Sequence, residues 1–304
     1  MMESGDSSIV LNEDYVMVPA TSEIISRIAS DGYCVIPSFV SREILQQFMP
    51  EVYRRFDRQS FNGTIGHVRY GNQKYLQHTL AVHEEILKLY LHPLIIECCE
   101  KYIGSDVHLE DYRIYQNLEG CKMAWHVDNK QTLEDLSSLM LENMQGLIAI
   151  VYLEDIDHGA FEFVRSSHHW AWKENRENWN ERVGKFQEDV VTVNGLAGTL
   201  ILYDFRGIHR AQPFAKGSPR TAMFAQYVGA DWPTGEPIIL DSSMLCSLSP
   251  KDTCVLRFGR KASSPTWPIP TDAEQRPPTV PPLVSWAARK VRAMARFYNT
   301  LLGQ

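Results

Sequence analysis

His126 and Asp128 stand one residue apart in the stretch MAWHVDNK, residues 123–130. On an extended strand, residues i and i+2 project from the same face, so an imidazole and a carboxylate at this spacing point into one space. That pair suits a divalent metal, which needs a further ligand from elsewhere in the chain. His209, in LILYDFRGIHRAQPF at the end of an apolar strand-like run, is the candidate. Two histidines and one carboxylate form the facial set of non-haem iron, which leaves three open positions on one side for a bidentate co-substrate and dioxygen. Zinc fits less well, since its catalytic sites open a single position. Taken singly, neither H-x-D nor His209 is specific, because ten histidines make accidental spacings common.

Arg220 follows His209 after ten residues and opens the strand-like run RTAMFAQYV behind the turn AKGSP. A buried arginine at a strand start needs an anionic partner, and its planar fork accepts a carboxylate bidentately. That carboxylate would be the far end of an organic acid chelating the metal. The other reading is a surface arginine beside a Ser-Pro turn.

These residues require strands to position them. The 304 residues, 44% hydrophobic and 22% charged, can bury a substantial core and fit one decorated domain spanning 1–304. In TSEIISRIASDGYCVIPSFVSREILQQF, Ile24, Ile25 and Ile28 recur at helical spacing, YCVIPSF reads as a strand, and Ser41 with Glu43 opens another helix. Residues 56–80 are polar and glycine-punctuated and read as a lid-like loop within a helical N-terminal region, 20–105. The helix in AVHEEILKLYLHPLIIECCEKYIG is interrupted near Pro93. Short runs bounded by Gly, Asp, Asn or Pro follow over 106–232, among them VHLEDYRIYQNL, GCKMAWHVDN, GLIAIVYLED and GAFEFVRSS, which predict an antiparallel sandwich or barrel. The remainder, 233–304, is a C-terminal extension with the proline-rich SSPTWPIPTDAEQRPPTVPPL and a basic amphipathic helix in VSWAARKVRAMARFYNTLL, read as docking on the domain or on a dimer mate in preference to the alternative, a membrane surface.

The formal charge of -7 and the absence of a basic stripe in the first 280 residues exclude nucleic acid as a partner. No C-x-x-C occurs among cysteines 34, 98, 99, 121, 246 and 254, which read as reduced thiols. The N-terminus carries acids where a secretory leader is basic, and no apolar run is long enough for a transmembrane segment, so a cytoplasmic monomer or homodimer is expected.

The ordered set of His126-x-Asp128, GLIAIVYLED, GAFEFVRSSHHW, AGTLILYDFRGIHR and His209-x10-Arg220, preceded by IASDGYCVIPSF, resembles the phytanoyl-CoA dioxygenase family of Fe(II)- and 2-oxoglutarate-dependent oxygenases over roughly residues 20–230. The resemblance implies a mainly β protein with flanking helices and a double-stranded β-helix core, a jelly-roll relative of the cupins. It implies His126, Asp128 and His209 as iron ligands, Arg220 as the 2-oxoglutarate anchor, and dioxygen as the second co-substrate. The reaction would oxidise a C–H bond by hydroxylation, desaturation or rearrangement and release succinate and CO2. Asp128 stands where halogenating relatives carry a small residue, which argues against halogenation. A departure lies in VRSSHHW, where Ser167 and His168 remain but the family's preceding proline and glycine are missing, leaving the local loop shape open.

Gln116 and Tyr152 are candidate hydrogen-bond donors to 2-oxoglutarate, against the alternatives of an edge glutamine and a core tyrosine. Trp125 reads as core, and His168 and His169 as turn or rim. Aromatic residues in 56–80 and the insertion 129–146 would border the barrel mouth and suit a mostly apolar small molecule, a natural product or metabolic intermediate of the kind made in secondary metabolism. The acidic balance, with only Arg54, Arg55 and Arg58 clustered nearby, speaks against a strongly anionic acyl-CoA. The rival from another class is a non-catalytic, cupin-like metal- or ligand-binding protein, which has no use for a co-substrate anchor.

Overall fold

The computed structural model describes residues 18–59, 66–128, 145–171, 187–213, 219–230 and 238–258, with 179, 181, 183, 184, 217 and 232 as single positions. The chain divides into two units, Met1–Ser264 and Pro265–Gln304. The proline-rich segment from residue 263 on, the terminal basic helix and the 129–144 part of the insertion lie outside the described residues.

Helix α1 (Thr21–Asp31) ends on Gly32, whose φ of 91° places it in the left-handed region. Strand β1 (Tyr33–Ile36) leads to α2 (Arg42–Phe56), whose first turn is capped by the Ser41 hydroxyl accepting from the Ile44 amide. The polar stretch 56–80, expected as a loop, holds β2 (Val68–Tyr70) and β3 (Gln73–Gln77). Leu76, fully buried, anchors this hairpin, and β3 pairs along β4 (Val107–Asn117); backbone pairing at a sheet edge holds a polar sequence extended where side-chain pattern alone does not declare a strand. The expected helical interruption falls at Pro93, which occupies the first position of α4 (Pro93–Ile103) after α3 (Glu84–Tyr90).

The remaining strands are β5 (Gly146–Tyr152), β6 (Ile156–Val164), β7 (Val190–Gly195), β8 (Leu200–Asp204), β9 (His209–Ala211) and β10 (Arg220–Gly229), followed by α5 (Pro250–Val255). They form a seven-stranded antiparallel sheet in the order β1-β8-β5-β10-β4-β3-β2 and a three-stranded sheet in the order β7-β6-β9. The expected strand around residue 126 is reduced to one antiparallel bridge between His126 and His209.

Side-chain alternation sorts the large sheet into two cores. On β5, Leu147, Ala149 and Val151 join the cluster that holds the four N-terminal helices, while Ile148, Ile150 and Tyr152 join Phe161, Phe163 and Val193 of the small sheet. This explains why GLIAIVY reads as an unbroken apolar run: both faces are covered. Two antiparallel sheets face to face, with helices outside the larger, are the jelly-roll core with flanking helices that the sequence led us to expect. All six cysteines are free thiols, and Cys34, Cys98, Cys99 and Cys121 are buried.

His92 sits at the N-cap of α4, its Nδ1 accepting from the Leu94 amide, its ring edge-on to Phe39. Burial pushes its pKa down from 6.5 to about 4, so the fold holds it neutral. Between those two values the unfolded chain binds the proton and the native chain does not, so stability falls as pH drops through this window. Replacing His92 with Asn, which also caps helices, is expected to remove about 2–3 kcal/mol of the acid destabilisation between pH 6.5 and pH 4, read by urea denaturation across pH.

Candidate metal centre

The turn between β8 and β9 is the first positioning device. Buried Asp204 closes it by accepting from the Arg206 amide at 2.8 Å and from the Arg206 guanidinium Nη2 at 2.6 Å, while Tyr102 of α4 donates to the same carboxylate at 2.7 Å. Gly207 is required here, because a Cβ would lie 2.1 Å from the Phe163 ring. On the other side the Ser167 hydroxyl accepts from the Ile208 amide at 2.7 Å. The turn carrying Ser167 keeps its shape without glycine because Ser166 itself takes φ 58°, ψ 7°, held by its hydroxyl donating to the Ser30 carbonyl. His168 and His169 belong to this turn, as expected from their lack of a carboxylate partner at i+2.

Across the turn, His126 and His209 exchange two backbone bonds, His126 N–H to His209 C=O at 3.1 Å and the reverse at 2.9 Å, and the Asp128 amide donates to Phe205 C=O at 3.1 Å. The three side chains converge so that one ligand atom from each lies within 4.8 Å of the others. Asp128 Oδ2 is 3.2 Å from His209 Nε2, and Oδ1 is 4.0 Å from His126 Nε2. Each imidazole bonds through Nδ1 to the carbonyl two residues before it, Ala124 at 2.9 Å and Gly207 at 3.0 Å. A carbonyl accepts only, so Nδ1 carries the proton in both rings and Nε2 turns a lone pair toward the shared space. Burial alone would raise the Asp128 carboxyl, yet the imidazolium forms of His209 and His126, together with the Arg113 guanidinium, outweigh it and hold it well below the usual carboxylate range. The result is two neutral nitrogen donors and one anionic oxygen donor on one side of a cavity, a donor set that would suit non-haem iron.

Tyr203 on β8 completes the set from behind, its hydroxyl 3.2 Å from Asp128 Oδ2 and 3.3 Å from His209 Nε2. Burial first, then the Asp128 charge, raises the Tyr203 hydroxyl well above its ordinary value, so it stays a donor. The sequence reading missed this residue, although its place in LILYD, six before His209, puts it on β8, just ahead of the turn that leads to the histidine.

Arg220 lies in the same cavity, 2% exposed. Its Nη1 donates to Gly159 C=O at 2.6 Å and its Nη2 to the Tyr115 hydroxyl, while its buried Nε has no hydrogen-bond partner. Among the described residues no carboxylate pairs with it. A buried guanidinium with an unused donor is costly unless an anion arrives, and the far carboxylate of 2-oxoglutarate is an anion of the right geometry.

The structure does not bring Gln116 and Tyr152 to this cavity. Gln116 neighbours Tyr115 and Asn117 on β4 and so faces the opposite way, where it donates to Thr221 Oγ1 at 3.2 Å. Tyr152 faces inward, but its hydroxyl donates to Val193 C=O at 2.7 Å and accepts from the Phe161 amide at 2.9 Å, stitching the two sheets together. The tyrosine that does bond to Arg220 is Tyr115, which no sequence motif marks. Trp125 is buried as expected, under the Arg210 guanidinium at 4.1 Å. The cavity is walled by Ile150, Phe161 and Phe224 on its apolar side.

The family model for phytanoyl-CoA dioxygenase matches residues 28–222. A comparison with curated protein sequences gives no match. Among solved structures, the chain is similar to the non-haem α-ketoglutarate-dependent epimerase SnoN from nogalamycin biosynthesis, with 22% identity, TM-score 0.53, and 69% of this chain and 83% of that one covered. HygX from Streptomyces hygroscopicus, solved with nickel, 2-oxoglutarate and hygromycin B bound, gives 15% identity, TM-score 0.57 and coverage of 73% and 93%. The carbocyclase SnoK from nogalamycin biosynthesis gives 21%, 0.52, and 76% and 91%. These likenesses establish the shared fold.

Removing the Tyr203 hydroxyl leaves the three ligand atoms in place but frees Asp128 and His209 to rotate. Tyr203→Phe is expected to weaken metal binding roughly 10- to 100-fold, measured by equilibrium dialysis with Fe(II) under argon or with Ni(II).

Proposed function

The chain belongs to the phytanoyl-CoA dioxygenase family of Fe(II)- and 2-oxoglutarate-dependent oxidoreductases, and on that premise we propose that His126, Asp128 and His209 hold the iron and that Arg220 anchors 2-oxoglutarate for oxidation of a C–H bond in a small molecule. The observation that carries this reading is the buried Arg220, unmatched by any carboxylate among the described residues and set in one cavity with the three ligands. A module that only bound metal would have no use for that charge.

When bound, iron and 2-oxoglutarate consume dioxygen, release succinate and CO2, and supply an oxidant able to take a hydrogen atom from an unactivated C–H bond. The chain's own residues do the rest. Asp128, held ionised, offsets metal charge without needing to lose a proton, and the Nδ1 bonds of both histidines keep the Nε2 lone pairs aimed at one point. Arg220, clamped by Gly159 and Tyr115, fixes the direction in which a diacid enters. Ile150, Phe161 and Phe224 exclude water from that side of the cavity.

These apolar walls support a substrate with a largely apolar body, and the natural-product chemistry of SnoN, SnoK and HygX supports a small natural product or metabolic intermediate. Which outcome follows hydrogen abstraction is set by where the substrate carbon is held. We read the protein as acting in the cytoplasm; no helix among the described residues is long and apolar enough to cross a membrane.

Anaerobic titration with Fe(II) and then 2-oxoglutarate is expected to develop the visible charge-transfer band of a chelated keto acid. Arg220→Ala should keep its iron and raise the 2-oxoglutarate dissociation constant roughly 100-fold, the loss of a charge-assisted bidentate pair. Asp128→Ala should lose the band through loss of iron. Wild-type protein that binds iron but shows no band overturns the reading.

A further inference from the structure

Arg220 is not the only guanidinium in the cavity. Arg113, on β4, projects into the same space, its Cζ 3.8 Å above the Phe224 ring. The two arginines lie on one face of the sheet at different depths, since Arg220 pairs with Asn117 and Phe224 pairs with Arg113. Four residues of extended strand separate the two positions on β4, about 13 Å from backbone to backbone. Between them lie Tyr115 and Ala222.

Arg113 has a partner, but a shallow one. Its Nη1 donates to Asp111, two residues back on the same strand, whose side chain is 46% exposed. An ion pair with so wet a carboxylate holds weakly and is screened by salt. Meanwhile the Nε of Arg113 is buried without a hydrogen-bond partner. The guanidinium is thus held in place by stacking on Phe224, tethered at the rim by Asp111, and has donor capacity left unused. The surroundings are apolar on one side, Ile150 and Phe224, with the Tyr75 hydroxyl, engaged by Gln73, on the other.

We propose that Arg113 is the substrate anchor, receiving a carboxylate, so that the substrate is a small organic acid with an apolar body whose reacting carbon lies between this anchor and the metal. The proposal rests on the metal and co-substrate assignments of the previous section and adds the class of molecule they act on. Arg113 touches substrate alone; Arg220 touches 2-oxoglutarate.

The test uses 3-phenylpropionate and its uncharged counterpart 3-phenylpropionamide, titrated by calorimetry into protein preloaded anaerobically with Fe(II) and saturating 2-oxoglutarate. The acid is expected to bind at least tenfold more tightly than the amide. Arg113→Gln should erase that preference and Arg113→Lys should restore part of it. Asp111→Asn, which frees Arg113 without removing a cavity residue, should tighten the acid and leave the amide unchanged, and it covers the case in which Arg113→Gln does not fold. Equal binding of acid and amide, binding of neither, a preference that survives Arg113→Gln, or an acid that merely displaces 2-oxoglutarate from Arg220 overturns the proposal. The keto-acid band is recorded on the same samples. A missing band with an Arg113-dependent acid preference strikes the co-substrate reading and leaves this one standing, whereas a normal band without the preference does the reverse.

Discussion

Two backbone hydrogen bonds between His126 and His209 hold the centre together. They join a segment that is otherwise outside any sheet to the short strand β9, and they do so at the two residues whose imidazoles must meet. Because the bridge is antiparallel, it faces the two side chains the same way, and the i, i+2 rule then delivers Asp128 to the same side. The surrounding devices serve this bridge: the Asp204–Arg206 closure fixes the turn before β9, Ser167 takes up the Ile208 amide, and Phe163 fills the space beside Gly207.

Charge in the cavity follows from the same placement. Asp128 is the one carboxylate among the described residues lining it, with the Tyr203 hydroxyl donating to it, the two imidazoles beside it and, further off, the Arg113 guanidinium. An acidic protein therefore encloses a locally cationic chamber. The net charge of -7 sums the whole sequence and says little about this cavity; Arg54 and Arg55, outside it, are both paired with Glu51.

The amino-acid pattern made a good part of this legible. His126, Asp128, His209 and Arg220 stood out because their types are costly to bury and their spacings fit strand geometry, and the structure places all four around one cavity. Unbroken apolar runs such as GLIAIVY announced strands covered on both faces. What stayed hidden depended on pairing between distant segments. Residues 73–77 become a strand by pairing with β2 and β4, and the segment at 126 fails to become a full strand because only one residue finds a ladder partner. Gln116 and Tyr152 have the right functional groups, but the parity of β4 turns one away and the opposing sheet occupies the hydroxyl of the other. Tyr115 and Arg113 have no motif of their own and acquire meaning from Arg220 and Phe224 across the ladder.

The central strands of the large sheet are a wall one backbone thick, with the helical core on one side and the cavity on the other. Odd positions of β5 answer to the helices and even positions to the side of the small sheet and the chamber, so a substitution's address is decided by parity before its chemistry matters. A lineage could reshape the chamber at Ile150, or at Phe224 on β10, with Leu147, Val151 and Met223 still gripping the helices. Innovation and integrity are written into alternate letters of the same words, which gives one scaffold room to diversify its chemistry while its folding instructions stay intact.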